Sequence, residues 1–294
     1  MFATEFEYKK AGSVSEAIQL LNSESDAKLM AGGHSLLPLM KLRLARPGTI
    51  IDIGGIDEMR GISVENGILR IGALTTHAEI AESHLVKDAS GVLWETAYGI
   101  GDPQVRNRGT IGGNVAHADP ASDLPTVLTL MDAKFTIQGR GGIVSRGSRT
   151  VPADEFFTGA FSTALEPGEI LTSIEMPVLS ANQKSEYAKM AHPATSFAVV
   201  GAGVVVTLDG NTCTAARVAV GGLTPKPTRS PAAEQALVGK ELNAENIAAA
   251  TARVDGDLGS DIIGDVFASA EYRRAMAAIE LKHAVFHATG LAHH

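Results

Sequence analysis

The stretch Met30–Met40, MAGGHSLLPLM, sets two glycines, a histidine and a serine between an apolar run and a Leu/Met-rich segment. The flanking runs AKLMA and TIIDIG fit short strands, and Leu36–Leu44 between them fits a helix. GGHS therefore falls where a strand gives way to a helix. The first turn of a helix leaves backbone N–H groups without partners, and glycine lets an anion approach them because no Cβ intervenes. Gly32, Gly33, His34 and Ser35 thus offer four consecutive amides that suit a phosphate. An ordinary small-residue turn is the competing reading in a chain with 31 glycines.

A second turn of this kind lies in RNRGTIGGNVAHADPASDLP, Arg106–Pro125, where Thr110, Gly112, Gly113 and Asn114 are followed by Asp119, Ser122 and Asp123. A diphosphate held between two such loops, with a carboxylate placed for a ribose hydroxyl, is what a dinucleotide needs. Neither loop matches GxGxxG and neither has the Walker lysine, which excludes a Rossmann fold and a P-loop.

Around these loops the chain opens as a βαβ-like unit. Ser13 and Glu16 stand at capping-box spacing, and Val14, Ala17, Ile18, Leu20 and Leu21 recur at helical intervals. From about residue 58 hairpins and short helices take over. Asn66-Gly67 sits between two strand-like runs, Thr76 and Glu79 repeat the capping-box spacing, and GVLWETAYGIG reads as a buried helix ending in glycine. After the helical run TVLTLMDA come strands near Phe135 and at ILTSIEMP. The polar VLSANQKS, Val178–Ser185, then marks the expected domain boundary. FAVVGAGVVVTL and CTAARVAVGGL, joined around DGN, predict a β-meander, and Asn243–Val254 and Glu271–His287 predict a helical bundle.

The 294 residues suffice for two or three domains, and 45% hydrophobic with 20% charged residues is ordinary for a globular protein. A net charge of −8 argues against nucleic acid as a partner. No run approaches the roughly 18 apolar residues of a membrane span. MFATEFEYKKAG lacks the pattern of a signal peptide, so a cytoplasmic location is expected. Cys213, the one cysteine, is expected to be a buried strand residue. It leaves no internal disulfide and no iron–sulfur cluster held by this chain alone. Any electrons must travel on an organic cofactor or on metals of another chain. His192, His283, His287, His293 and His294 show no metal-triad spacing. No catalytic residue is expected in this chain, because neither a nucleophile–base triad nor a paired-carboxylate site is evident.

AGGHSLLPLMK, Ala31–Lys41, and the Arg106–Pro125 segment together resemble the two FAD-binding signatures of the medium, flavoprotein subunit of molybdenum hydroxylases. That group includes aerobic carbon monoxide dehydrogenase and relatives of xanthine dehydrogenase. The order and spacing of elements match as well, and the resemblance covers essentially the whole chain. It implies an α+β fold with a two-subdomain FAD-binding domain of the vanillyl-alcohol-oxidase/PCMH type at residues 1–177, divided near 57. A C-terminal domain of three-stranded antiparallel sheet and helices would follow at residues 184–290.

The resemblance also implies site residues. Ala31, Gly32, Gly33, His34 and Ser35, continued by Leu36, would wrap the diphosphate of a noncovalent FAD. Thr110, Gly112, Gly113 and Asn114, with Ala116 beyond them, would hold the diphosphate and flavin side. Asp123 would face a ribitol or ribose hydroxyl, Ile100 and Gly101 would line the cleft, and Leu171 would lie near the adenine or flavin. Tyr187 and Lys189, in SEYAKMAHPATSFAVVG, match a Tyr-x-Lys expected near the isoalloxazine. Many members then have a Gly-Asp pair where this chain has HPATS, which leaves the flavin shielding open. Simpler readings stand beside these: Asp123 as an N-cap, Tyr187 as a strand core residue, and Arg106 and Arg108 as a solvated face.

Partners are implied too, a large subunit with the molybdenum cofactor and a small one with two [2Fe–2S] clusters, in a heterotrimer that dimerises. The chain would relay electrons from those clusters to an external acceptor. The single cysteine argues against the branch that reduces aromatic thioesters, whose flavin subunit carries its own cluster. The alternatives are a self-sufficient flavin oxidase of the same FAD-binding fold, with His34 as a covalent attachment point, and a cofactor-free assembly subunit.

Overall fold

The computed structural model describes residues 2–141 and 147–291, so His293 and His294 lie outside the described residues. The chain opens with β1 (Glu7–Lys10), α1 (Val14–Ser23), β2 (Ala27–Met30), α2 (Leu36–Lys41) and β3 (Thr49–Asp52). Both β1 and β2 pair in parallel with β3, which is the central strand of this sheet. Ser13 caps α1 by accepting from the Glu16 amide at 3.1 Å. The sequence EYKK shows no strand pattern, and β1 exists because β3 offers it a free edge.

Next come β4 (Ile62–Glu65) and β5 (Ile68–Gly72), then helices α3 (His77–Glu82), α4 (His84–Ala89), α5 (Gly91–Tyr98), α6 (Pro103–Arg106), α7 (Ile111–His117) and α8 (Asp123–Leu130). Asn66 and Gly67, at φ 51° and 75°, make the tight turn between β4 and β5. Beyond α8 lie β6 (Lys134–Gln138), β7 (Ser148–Pro152), α9 (Ala153–Phe156), β8 (Phe157–Gly159), β9 (Ser162–Thr163) and β10 (Ile170–Pro177). The antiparallel sheet runs β4-β5-β10-β6-β7. Phe157 packs edge to face on both Phe135 and Phe156 in its core, and those two rings are tilted 55° to one another.

The rest comprises β11 (Gln183–Ala191), β12 (Ala198–Asp209), β13 (Thr212–Gly221), β14 (Thr228–Arg229), α10 (Pro231–Leu237), α11 (Ala244–Thr251) and α12 (Ala270–Thr289). The sheet has four strands in the order β11-β12-β13-β14, one more than the three expected. The added β14 has only two residues, too few for any periodicity to announce it. Helix α10 was likewise not foreseen, although Ser230 caps it and Pro231 occupies its first turn. Cys213 is buried on β13, as expected of a strand residue.

Every residue of α8 is buried, because the helix is covered on one side by its own domain core and on the other by β12 and β13. Glycines make that second contact close. A Cβ on Gly221 would lie 2.0 Å from Thr126 Oγ1, and one on Gly203 would lie 2.7 Å from Leu130 Cδ2. The amides of Ala198 and Gly222 donate to the carbonyls of Ala121 and Pro120 at 3.1 and 3.0 Å, and Asp132 pairs with both Arg217 and Arg229. Gly221→Ala should therefore overpack this seam and lower stability by about 1–3 kcal/mol, read as a fall in the denaturant midpoint. An unchanged midpoint would show that α8 and the sheet do not meet this tightly.

Candidate functional site

The first loop links β2 to α2. Gly33 has φ +76°, a conformation that glycine adopts freely and a β-branched residue does not. Ser35 stands at the N-cap of α2 without a side-chain capping bond. Among the described residues, no acceptor meets the amides of Gly32, Gly33, His34 and Ser35. His34 is exposed and directs Nδ1 to the Gly32 carbonyl at 3.1 Å. Ala31 precedes this run and Leu36 follows it, both half-buried.

The second loop is different. Thr110 Oγ1 accepts from the Gly113 amide at 3.1 Å, the Thr110 carbonyl accepts from Asn114 at 3.0 Å, and Gly112 donates to the Ala73 carbonyl at 2.8 Å. The amides of this loop are thus committed inside the protein, and it does not present free N–H groups as the first loop does. Gly112 provides close packing, since a Cβ there would lie 2.4 Å from Ala73 Cβ and 2.6 Å from its carbonyl oxygen. Asn114 donates from Nδ2 to Ser122 Oγ at 3.0 Å, while its buried Oδ1 has no partner. Ala116 is exposed on α7.

The two loops touch backbone to backbone at Gly32. A Cβ on that residue would lie 1.8 Å from the Arg108 carbonyl oxygen and 3.1 Å from Gly109 Cα. Beneath the junction is His77, a residue the sequence reading missed. Its amide donates to the Gly109 carbonyl at 3.0 Å, and its ring edge occupies the space a Gly109 side chain would need. The imidazole is buried with Nδ1 unpartnered. Burial first, and the nearby His34 second, push it down to about 4. The capping box Thr76–Glu79 gave its position at the start of a helix, but nothing local marked its contact with Gly109.

Asp123 is the first residue of α8, and Ser122 is the N-cap, so the reading of Asp123 as a cap is corrected. Its carboxylate accepts from Tyr187 OH at 2.9 Å and from Lys189 Nζ at 2.7 Å. Both oxygens are engaged by β11, as a buried carboxylate requires. Burial pushes the Asp123 carboxyl up, against the opposing pull of Lys189 and Tyr187. Burial and the Asp123 charge push the Tyr187 hydroxyl well up. Tyr187 therefore bridges two parts of the fold and is more than a strand core residue. It lies across β12, where a Cβ on Gly201 would stand 2.0 Å from its hydroxyl.

Lys189 also donates to the Ser196 carbonyl at 2.9 Å, within the HPATS turn. That turn closes through the Ser196 amide on the His192 carbonyl at 2.8 Å, with Ser196 itself at φ 60°. Gly101 abuts the turn, its missing Cβ lying 3.3 Å from the Thr195 carbonyl, and half-buried Ile100 precedes it. Leu171 is a buried core residue of β10, in register with Ile137. Its neighbour Thr172 accepts from the Ala73 amide at 3.0 Å, which ties β10 to the residue on which Gly112 packs.

Residues 4–179 match the model of the FAD binding domain in molybdopterin dehydrogenase, and residues 185–288 that of the CO dehydrogenase flavoprotein C-terminal domain. The chain belongs to the FAD-binding medium subunits of the molybdenum hydroxylase family. It is 40% identical over 288 residues to the carbon monoxide dehydrogenase medium chain of Hydrogenophaga pseudoflava, covering 97% of each. It is 35% identical to the glyceraldehyde dehydrogenase medium chain of Sulfolobus acidocaldarius, covering 95% of this chain and 96% of that one. Among solved structures, carbon monoxide dehydrogenase from Hydrogenophaga pseudoflava matches with a TM-score of 0.93 at 40% identity. Quinoline 2-oxidoreductase from Pseudomonas putida 86 matches with a TM-score of 0.92 at 31% identity, and each match covers 99% of both chains. The medium-subunit fold is thus the α+β architecture expected, and the chain is an FAD-binding oxidoreductase component. No described helix is long and apolar enough to cross a membrane.

His77 gives this site a pH signature. Its neutral form is favoured on folding, so its contribution to stability is complete above its unfolded value of 6.5 and is lost as the pH falls to about 4. The raised Asp123 carboxyl acts with the opposite sign in an overlapping range, but a His77→Gln variant retains it. Between about pH 7 and about pH 4.5 the unmutated chain should lose about 2 kcal/mol more stability than His77→Gln, measured by urea unfolding. Parallel losses would show that His77 is not held neutral.

Proposed function

We propose that this chain holds FAD noncovalently between the two loops and serves as the electron-transfer subunit of a multi-subunit molybdenum-dependent hydroxylase or dehydrogenase. The chain would take electrons from [2Fe–2S] clusters on a small partner subunit and pass them to an external acceptor, with the molybdenum cofactor on a large partner subunit. The relatives' designation as medium chains of carbon monoxide and glyceraldehyde dehydrogenases supports companion subunits. The complex would be a heterotrimer that dimerises, in the cytoplasm or held at a membrane through its other subunits. In this reading residues 1–177 are the FAD-binding domain and residues 184–290 the C-terminal domain.

The observation that carries the proposal is the run of four unpartnered amides at Gly32–Ser35, set against the second loop with no side chain at Gly32 or Gly33 in the way. An anionic diphosphate suits such a cradle. The orphaned Asn114 Oδ1 adds a buried acceptor for a ligand N–H or O–H. The residues present therefore fit FAD, which when bound supplies reversible one- and two-electron redox chemistry.

Ala31–Ser35, with Leu36 behind them, would hold the diphosphate. Thr110, Gly112 and Gly113 would shape the opposite wall, Asn114 would bind through its side chain, and Ala116 and Leu171 would border the cleft. Asp123, Tyr187 and Lys189 bring β11 over the site, and Ile100, Gly101 and the HPATS turn would close its rim against water. None of these residues has to act as a nucleophile or general base, which suits a subunit that moves electrons.

FAD analysis of the full chain tests this. Acid precipitation should release the flavin into the supernatant, and flavin left in the pellet would overturn noncovalent binding. Gly33→Val strains the positive φ and presses a branched side chain on Leu37 of α2, which distorts the loop that carries the free amides, so the variant should purify without FAD while keeping its circular dichroism spectrum. Normal FAD content in that variant would refute this use of the loop.

A further inference from the structure

Arg106 opens the second motif and reads from sequence as part of a solvated face. In the structure it is half-buried and engaged on two sides. Its Nη1 donates to the Ile100 carbonyl at 2.8 Å, and its guanidinium carbon lies 5.5 Å from the centroid of the Tyr98 ring. Tyr98 in turn stacks on Trp94, with centroids 5.9 Å apart and planes 18° apart, and Lys87 Nζ lies 4.6 Å from the Trp94 centroid. Side chains from α4, α5 and α6 thus form one continuous ladder of cation, two aromatic rings and cation, and it ends on a backbone carbonyl.

The segment that receives this carbonyl contact is otherwise lightly held. After α5 stops at Gly99, the Ile100 amide makes only a long 3.4 Å bond to the Ala97 carbonyl. Among the described residues, the Gly101 amide has no backbone partner. Yet this segment faces the Thr195–Ser196 turn, which Lys189 ties to Asp123. The Ile100 side chain packs against the core, and the short hydrogen bond that its peptide receives comes from Arg106. A guanidinium suits the task because it donates in its plane while its face packs on a ring, which a lysine ammonium cannot do. Tyr98 is 63% exposed, so its packing adds little to a core and its conspicuous role is to seat Arg106.

We propose that Arg106, seated on the Lys87–Trp94–Tyr98 ladder, is a positioning residue that fixes the Ile100–Gly101 peptide at the rim of the FAD cleft. The proposal rests on the FAD site described above and deepens it. It makes the rim depend on an aromatic stack, half-buried at Trp94 and exposed at Tyr98, outside both glycine loops. It also makes Tyr98 and Arg106 act as one unit, so that removing either has the same consequence.

The test uses the full chain loaded with FAD and four variants, Tyr98→Leu, Tyr98→Phe, Arg106→Gln and Arg106→Lys. Affinity is read from quenching of free FAD fluorescence, the rim from the visible absorption bands of bound flavin, and the ladder from emission of Trp94, the only tryptophan. Tyr98→Leu, Arg106→Gln and Arg106→Lys should each weaken FAD binding by about tenfold and shift the flavin bands in the same direction. Tyr98→Phe, which keeps the stack, should match the unmutated chain, and all four should melt close to it. A merely structural stack would change melting and leave the flavin bands alone, which would overturn the proposal. So would an effect confined to Arg106→Gln with Tyr98→Leu and Arg106→Lys unchanged, since charge alone would then suffice. If the unmutated chain takes up no FAD, the underlying site reading falls and this one with it.

Discussion

Gly32 meets the Arg108 carbonyl so closely that a Cβ would stand 1.8 Å from its oxygen, and this contact joins two regions that are distant in sequence. On one side is the small parallel sheet of β1, β2 and β3, and on the other the helices α3 to α8 that lead to the antiparallel sheet. Without the contact there would be two unrelated glycine turns. With it, a first loop whose amides are free lies against a second loop whose own amides are already paired. The division is physically sensible, because a rigid, internally satisfied wall can orient a ligand that the other loop binds.

A second constraint ties the C-terminal sheet to this junction. Asp123 is buried at the start of α8 and cannot remain charged there without partners, and Tyr187 and Lys189 supply them from β11. Gly201 leaves the room that Tyr187 occupies, and Gly221 lets the sheet settle on α8. Glycine therefore serves three distinct ends in this chain. Gly33 allows a left-handed backbone, Gly32 and Gly112 allow close backbone packing, and Gly201 and Gly221 seat the last sheet.

Much of this was legible in the residues. Asn66-Gly67, the helix starts at Ser13 and Thr76, helix α5 and the long strands β12 and β13 all carry their signals locally, and the structure has each of them. The reciprocal capping box forms at Thr76 and not at Ser13, where the Glu16 carboxylate takes the Gly12 amide instead, and α5 is buried on one face, through Val92, Leu93, Thr96 and Ala97, rather than all round. Both glycine loops were visible for the same reason. What escaped was decided by partners far along the chain. EYKK becomes β1 only through β3, β14 only through β13, and His77 belongs to the loop junction only because Gly109 packs on its ring. The second loop looked like a twin of the first because glycine content does not reveal whether an amide is already bonded, and Ala73 and Thr110 take those amides. Asp123 was assigned to a ligand hydroxyl, whereas the structure gives both of its oxygens to residues of β11, and the need to pair a buried charge explains why.

The central claim is that the two loops form one FAD cradle because Gly32 admits their contact. The most direct measurement is the FAD dissociation constant of Gly32→Ala beside that of the unmutated chain, with circular dichroism to verify the fold. A methyl group there must push Arg108 and Gly109 away, so affinity should fall by about 100-fold or more while secondary structure persists. Unchanged affinity in a folded Gly32→Ala chain would contradict the account.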